Sequence, residues 1–310
     1  MADRLHGALG DVGPLARLRA ARSLQRDRGV PASRAPVRWG VRWPGAAEAA
    51  VARRLLSAVV FIPTFLWLLY GAAAPLFSLF VLLLSARAQW EFTRMFARDG
   101  ETVYRWAGLA AGLGVTGSFL GEAELPLVFT AAVMLLLSLP LATRRPPAWG
   151  PTALTLLGVC YVNWLLGFAI WLRRLPQGAA WIVFLLAVTW LGETAAYVVG
   201  SRLGRHPLAP TISPAKTVEG AVAQFGVSVL AGGLCVGWLF PGRPVGVGLT
   251  AGALLGLVGQ CGDLAESVLK RSAHTKDTGG VIPGHGGLLD RLDSLLFNTP
   301  ALFYYARHMG

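Results

Sequence analysis

The chain has 310 residues, of which 54% are hydrophobic and only 14% charged, and these proportions exclude an ordinary soluble domain. Its net charge of +12 would suit nucleic-acid binding, but nine arginines lie in the first 50 residues and most other basic residues fall in short breaks between apolar runs. That distribution is typical of a membrane protein near anionic lipid, so no nucleic-acid partner is expected.

Residues 1–52 differ from the rest because they are rich in Arg, Ala, Gly and Pro. No apolar run precedes a small-residue cleavage site there, so a secretory signal is not indicated. Three interpretations stay open: a disordered basic tail, an organellar transit peptide, or an artefact of the assigned translation start. We favour the tail or the artefact, and we expect residues 53–310 to form one membrane-embedded domain.

From residue 54 onward, apolar runs of about 20 residues, the length that crosses a bilayer, alternate with short polar breaks. Nine candidate spans are Leu55–Ala73, Leu76–Phe92, Trp106–Leu120, Leu125–Ala142, Thr152–Leu172, Ala179–Val199, Val218–Phe240, Val245–Ala265 and Leu288–Ala306. The sequence therefore predicts an all-α polytopic integral membrane protein with about nine transmembrane helices.

Charge in the loops predicts the orientation of these spans. With the N-terminus in the cytoplasm, the loops on that side hold 11 Lys and Arg residues without counting the tail, and the opposite side holds four. This bias predicts an N-in, C-out topology, against which only the pair Arg173–Arg174 argues. Two polar, glycine-containing loops, 200–217 and 266–287, would then face the cytoplasm, where nucleoside triphosphates are found.

The segment 260–267, QCGDLAES, lies at the predicted cytoplasmic end of the eighth span. Asp263 and Ser267 are four residues apart, so they share a helix face. Glu266 could act with them, or it could simply pair with Lys270 at the next turn as the helix enters water.

The segment 267–293 that follows is the most informative part of the chain. It concentrates cations, carboxylates and a histidine in an oily protein, and five glycines in its middle predict a loop. Asp290 and Asp293 share a helix face at the start of the last span. Carboxylates at a helix start also complement the helix dipole, which is the simpler explanation for one of them.

Two further groups carry polar residues. The segment SPAKTVEG at 213–220 offers Ser213, Lys216 and Thr217 for phosphate binding, although Thr217 could instead cap the following helix. Glu193 lies inside the sixth span, where a carboxylate is expected to face a polar cavity or a partner; a neutral structural Glu is the alternative.

This inventory of carboxylates, Lys, Arg and backbone N–H groups indicates a reaction class. Mg²⁺ prefers one or two carboxylates together with substrate phosphates and water. Phosphoryl or nucleotidyl transfer needs mainly positioning and charge neutralisation. Because no GxxxxGK[ST] motif is present, a P-loop enzyme is excluded.

These residues resemble the phosphatidate cytidylyltransferase family, also called CDP-diacylglycerol synthases, over roughly residues 53 to 310. Every fixed position of the family's C-terminal signature is filled, by Ser267, Leu269, Lys270, Arg271, Lys276, Asp277, Gly279, Ile282, Pro283, His285, Gly286, Gly287, Leu288, Asp290, Arg291 and Asp293. The segments QCGDLAES and SPAKTVEG are similar to the family's as well. One departure is Glu193, where the family commonly has Asp.

The resemblance implies transfer of CMP from CTP to phosphatidate, giving CDP-diacylglycerol and pyrophosphate for phospholipid synthesis. It implies Mg²⁺ and, on some accounts of the family, a monovalent cation such as K⁺. Expected catalytic residues are Asp263, Asp290, Lys270, Arg271 and Lys276. Expected substrate contacts are Ser213, Lys216, Thr217, Ser267, His285 and Arg291. Expected metal ligands are Asp263 and Asp290, with Asp293 and Glu193 as weaker candidates.

The expected partners are CTP, phosphatidate and membrane lipid, and a homodimer stays open. The expected location is the inner (plasma) membrane of a bacterial type, with the active site facing the cytoplasm. Alternatives are a CTP-dependent polyprenol kinase or another CDP-lipid synthase, which should lack the full signature. An ion-coupled transporter is a further alternative, but it predicts polar residues near mid-bilayer in symmetric halves, whereas here they gather in the C-terminal half at one surface.

Overall fold

The computed structural model describes residues 62–98, 103–121, 124–142, 149–279 and 287–309, which are mostly helical. Residues 62–70 form a helix that precedes α1, and a 3₁₀ turn at Leu289–Arg291 precedes α8. The eight helices that follow residue 73 are α1 Ala74–Arg98, α2 Arg105–Ser118, α3 Leu125–Ala142, α4 Gly150–Arg174, α5 Gly178–Leu203, α6 Val218–Leu239, α7 Val245–Ser272 and α8 Asp293–Met309. The tail predicted over residues 1–52 lies outside the described residues.

Five helices of the described residues, α3 to α7, are long and apolar enough to cross a membrane. The helical class is therefore confirmed, and each of the nine predicted spans overlaps helical residues. Nine membrane crossings and the N-in, C-out orientation stay predictions. Helix α7 runs on to Ser272, past the predicted end of its span at Ala265, because Glu266 and Lys270 pair one turn apart at 3.1 Å and support the last turns.

The expectation of an all-α fold needs one correction. Within the predicted loop 200–217, strands β1 (Pro207–Ala209) and β2 (Ser213–Thr217) form an antiparallel ribbon. Strands of three and five residues, each containing proline, carry no alternation of apolar residues that would reveal them in the sequence. The turn between them is held from outside, since Nε of Arg271 donates to the carbonyl of Ile212 at 3.0 Å.

Helices α6 and α7 approach closely at glycines. A Cβ added at Gly232 would lie 2.2 Å from the carbonyl oxygen of Gly248, and one at Gly252 would lie 2.2 Å from that of Ser228. The two helix backbones can lie this close together only because glycine has no Cβ. Such close approach at small residues is common between membrane helices. Helix α5 packs on the other side of α6, so α5, α6 and α7 form one layer that carries most of the polar residues discussed below.

Helix α4 contains a π-helical stretch, Val159–Trp164, in its middle. Within this stretch the carbonyl of Asn163 accepts a hydrogen bond from Oγ1 of Thr116 at 3.2 Å. Thr116 accepts in return from the Asn163 amide at 3.3 Å. Because buried polar groups need partners, these reciprocal bonds join α2 to α4.

Three of the arginines predicted to lie on the side opposite the cytoplasm donate to carbonyls near helix ends. Arg174 donates to the carbonyl of Phe119 at 3.1 Å, and Arg243 donates to that of Met309 at 3.0 Å. Arg173 donates to the last turn of the helix that precedes α1. The ends of these helices therefore meet, and the Arg173–Arg174 pair has a structural role, since cations stabilise helix C-termini.

Candidate active site

A cavity of about 580 Å³ opens where α5, α6 and α7 meet the β ribbon. Its polar lining comes from elements that are distant in sequence. The polar residues are Glu193, Tyr197, Ser201, Ser213, Lys216, Thr217, Gln224, Gln260 and Asp263. Five of the predicted site residues, Glu193, Ser213, Lys216, Thr217 and Asp263, therefore line one cavity.

The central contact in this cavity is an ion pair between the ribbon and α7. Nζ of Lys216 lies 2.7 Å from Oδ1 of Asp263 and 3.4 Å from Oγ of Ser267. The Ser267 hydroxyl in turn donates to the carbonyl of Asp263 at 2.9 Å. The side chains of Lys216 and Asp263 are 24% and 31% exposed, so an entering phosphate or metal ion can reach both.

Two more carboxylates adjoin this pair. Asp293, at the start of α8, interacts electrostatically with Asp263 and Glu193, so carboxylates from α5, α7 and α8 converge. Oδ1 of Asp293 also accepts a hydrogen bond from the backbone N–H of Ser294 at 2.7 Å. Arg291 lies near Glu193 and offsets part of this negative charge.

The donor chemistry of this cluster suits a hard cation such as Mg²⁺, which binds oxygen ligands. Among the described residues, no group of three or more His, Cys, Asp or Glu side chains is close enough to enclose a metal ion alone. Phosphate oxygens of a substrate and water would have to complete the coordination, which is the usual arrangement for Mg²⁺.

Asp290 belongs to a second cluster, which it forms with Glu266 and Lys270 of α7. Its Oδ1 lies 3.0 Å from Nζ of Lys270, which also contacts Glu266 at 3.1 Å. Its Oδ2 accepts hydrogen bonds from the Thr278 backbone N–H at 3.1 Å, the Thr278 hydroxyl at 2.9 Å and the Gly287 N–H at 2.7 Å. Both oxygens of Asp290 therefore accept hydrogen bonds, three on Oδ2 and one on Oδ1.

The other predicted residues have varied surroundings. Thr217 caps α6, since its Oγ1 accepts from the Gly220 N–H at 3.2 Å, and it lines the cavity as well. Arg271 binds the carbonyls of Ile212 and Thr275 and so braces the ribbon. Lys276 is exposed, and His285 lies outside the described residues.

One buried ionisable residue near this second cluster was missed from the sequence. Glu91 of α1 is 2% exposed, lies 2.8 Å from Nη2 of Arg87, and accepts a hydrogen bond from the Leu289 N–H at 2.8 Å. The signal was present, because an Arg and a Glu four residues apart inside an apolar run are expected to pair and to have a role.

Comparison with known proteins bears on this site. A model of the cytidylyltransferase family matches residues 52–309. The phosphatidate cytidylyltransferase of Staphylococcus saprophyticus is 33% identical over 203 residues, which are 63% of this chain and 77% of that protein. The protein of the same name in Staphylococcus aureus is 34% identical over 172 residues, 56% of this chain and 65% of that protein.

The "Uncharacterized protein YnbB" of Escherichia coli is 40% identical over 148 residues, which are 46% of this chain and 49% of that protein. The chain thus spans about half the length of this relative and a larger share of the two staphylococcal ones. The predicted family is confirmed, because the family model covers all the described helices and both polar clusters: the chain belongs to the cytidylyltransferase family.

Proposed function

We propose that this protein transfers CMP from CTP to phosphatidate, giving CDP-diacylglycerol and pyrophosphate. Membership of the cytidylyltransferase family and the names of the staphylococcal relatives support this substrate pair. The observation that carries the proposal is the Lys216–Asp263 pair, because it puts a cation and a carboxylate in one cavity beside the hydroxyl groups of Ser213 and Thr217.

The reaction needs little covalent chemistry from the protein. A phosphate oxygen of phosphatidate bonds to the α-phosphorus of CTP, and the bond from that phosphorus to the oxygen bridging to the β-phosphate breaks, so pyrophosphate leaves. The attacking phosphate is already an anion near neutral pH, so no strong general base is required. The obstacle is repulsion between two anions, which positioned cations and hydrogen-bond donors lower.

Lys216 is the residue we assign to a phosphate of CTP, with Ser213 and Thr217 as neighbouring hydrogen-bond donors. Asp263, with Asp293 and Glu193 near it, would hold Mg²⁺, which would neutralise charge on the reacting phosphates. Lys270 lies about two helical turns beyond Asp263 on α7 and pairs with Asp290, and we assign this pair to holding the protein around the site. A monovalent cation would belong to the same carboxylate cluster.

The membrane setting follows from the same elements. We propose nine crossings with the N-terminus in the cytoplasm, in a bacterial-type inner membrane, so that the cavity faces the cytoplasm and its CTP. The charge bias of the loops supports this orientation, and the structural use of Arg173 and Arg174 accounts for its main exception. Phosphatidate would enter the cavity sideways from the bilayer, between helices near the cytoplasmic leaflet.

An assay of the detergent-purified protein tests this function. The protein is incubated with labelled CTP, phosphatidate and Mg²⁺, and label is followed into the lipid phase while pyrophosphate is measured. Metal-dependent labelled lipid with equimolar pyrophosphate is expected. Folded protein that labels no lipid under these conditions would contradict the proposal, and a polyprenol acceptor would be the next substrate to test.

A further inference from the structure

A buried carboxylate of α1 contacts the chain on both sides of residues 280–286. Oε2 of Glu91 accepts the hydrogen bond from the Leu289 N–H at 2.8 Å, across 198 positions of sequence. Its Oε1 faces Nη2 of Arg87 at 2.8 Å. A carboxylate that is 2% exposed is costly unless it is paired; this one accepts a hydrogen bond on Oε2 and has the Arg87 guanidinium within ion-pair distance of Oε1. Neither Glu91 nor Arg87 is among the residues predicted from the sequence.

The glycines on either side confirm how closely this carboxylate is enclosed. A Cβ added at Gly279 would lie 3.1 Å from Oε1 of Glu91, and one at Gly287 would lie 2.7 Å from Oε2. The second distance is shorter than real Cβ contacts allow. The Glu91 carboxylate therefore lies between the two pieces of chain, which pass it without side chains.

Asp290 holds the same two pieces of chain from a different direction. Its Oδ2 accepts from the N–H groups of Thr278 and Gly287, at 3.1 and 2.7 Å, and its Oδ1 faces Lys270 at 3.0 Å. Leu289 is the residue next to Asp290. The hydrogen bond from Leu289 to Glu91 therefore fixes the backbone that carries the Asp290 carboxylate, and through it the Lys270 ammonium.

We propose that Glu91 is a positioning residue for cytidylyl transfer. By accepting the hydrogen bond from the Leu289 N–H, it holds α1 against the segment that carries Asp290. This contact keeps Asp290 and Lys270 of α7 in the arrangement that the reaction needs. The inference rests on the proposed function. Glu91 is too deeply buried to contact substrate, and it does not line the cavity. Its effect is therefore on turnover and not on the capture of CTP by Lys216.

Two double variants separate the hydrogen bond from the buried charge. Arg87→Met with Glu91→Leu removes both charges and the acceptor, so no ion is left unpaired in the apolar layer. Arg87→Met with Glu91→Gln also removes both charges but keeps a carbonyl oxygen that can accept from Leu289. A matched control is Gln89→Leu on the same helix, because Gln89 is 0% exposed and faces Gly108 and Gly158 instead of the second cluster.

The measurements are kcat, KM for CTP, and the thermal midpoint of each purified variant, with rates expressed per folded protein. For the Leu double variant we expect kcat to fall by about 10- to 100-fold while KM for CTP stays within about threefold, as for other displacements of a catalytic arrangement. The Gln double variant and the Gln89→Leu control should keep kcat within about threefold of the unaltered protein.

A single variant, Glu91→Asp, tests the same inference with the charge retained. The shorter side chain can keep the pair with the flexible Arg87 but withdraws from the backbone N–H of Leu289, so kcat per folded protein should again fall. Equal kcat in the Leu and Gln double variants, or full kcat in Glu91→Asp, would overturn the positioning role. Absence of labelled lipid from the unaltered protein would instead contradict the proposed function, so the two failures are distinguishable.

Discussion

Replacement of Lys216 by Met is the most direct test of the cavity. Met keeps most of the apolar stem of the side chain and removes the ammonium group, which lies 2.7 Å from Asp263. If Lys216 binds a phosphate of CTP, the variant loses a charge-assisted hydrogen bond to the substrate, and it also loses the ion pair with Asp263.

The size of the effect can be worked from these contacts. A hydrogen bond to a charged group contributes about 1.5–3 kcal/mol, which corresponds to a loss of about 10- to 150-fold in kcat/KM. The loss of stability should be small, because an ion pair whose side chains are 24% and 31% exposed contributes only about 0–1 kcal/mol. The thermal midpoint should therefore change by less than about 4 °C.

The assay follows labelled CMP into phosphatidate across a range of CTP concentrations, with the thermal midpoint measured in the same detergent. Arg243→Met is the matched control, because it removes a cation at the opposite helix ends, where Arg243 binds the carbonyl of Met309. The control should keep kcat/KM per folded protein. A kcat/KM for Lys216→Met within threefold of the unaltered protein would refute the assignment of Lys216 to phosphate.

Three further predictions follow from the same geometry. Asp290→Asn should lower both turnover and the thermal midpoint, because the new amide group faces N–H and ammonium donors. Each lost hydrogen bond costs about 1–3 kcal/mol of stability. Full turnover per folded protein would exclude a role for Asp290. Thr217→Ala should destabilise the protein by about 1 kcal/mol, because it removes the N-cap of α6. Thr217→Ser keeps the hydroxyl group and should have the stability of the unaltered protein, and thermal unfolding of the two variants measures the difference. Chelation of divalent metal should stop labelled-lipid formation and added Mg²⁺ should restore it, and activity that persists in chelator would contradict the assignment of Asp263 to a metal ion.

The sequence by itself predicted the features that depend only on residues close together in the chain, namely the helices, their caps and the ion pairs within one helix. The apolar runs predicted helices α3 to α7, because length and hydropathy alone make a segment able to cross a bilayer. The sequence offered a Glu266–Lys270 ion pair one turn apart and an N-cap at Thr217 as local explanations for these residues, and both contacts are present. The C-terminal signature identified the family, because so long a set of fixed positions does not need a structure to be recognised.

Contacts between distant segments were decided by the packing of the helices. Lys216 meets Asp263 because the ribbon folds over the end of α7, and those short strands leave no periodic signal. Asp290 stays a predicted metal ligand, and only the tertiary structure brings Thr278, Gly287 and Lys270 to its oxygens. The bond from Glu91 to Leu289 joins residues 198 positions apart. Sequence patterns show which residues share a helix face. They do not show which helix that face packs against, because the packing depends on close approaches such as that of Gly232 to Gly248.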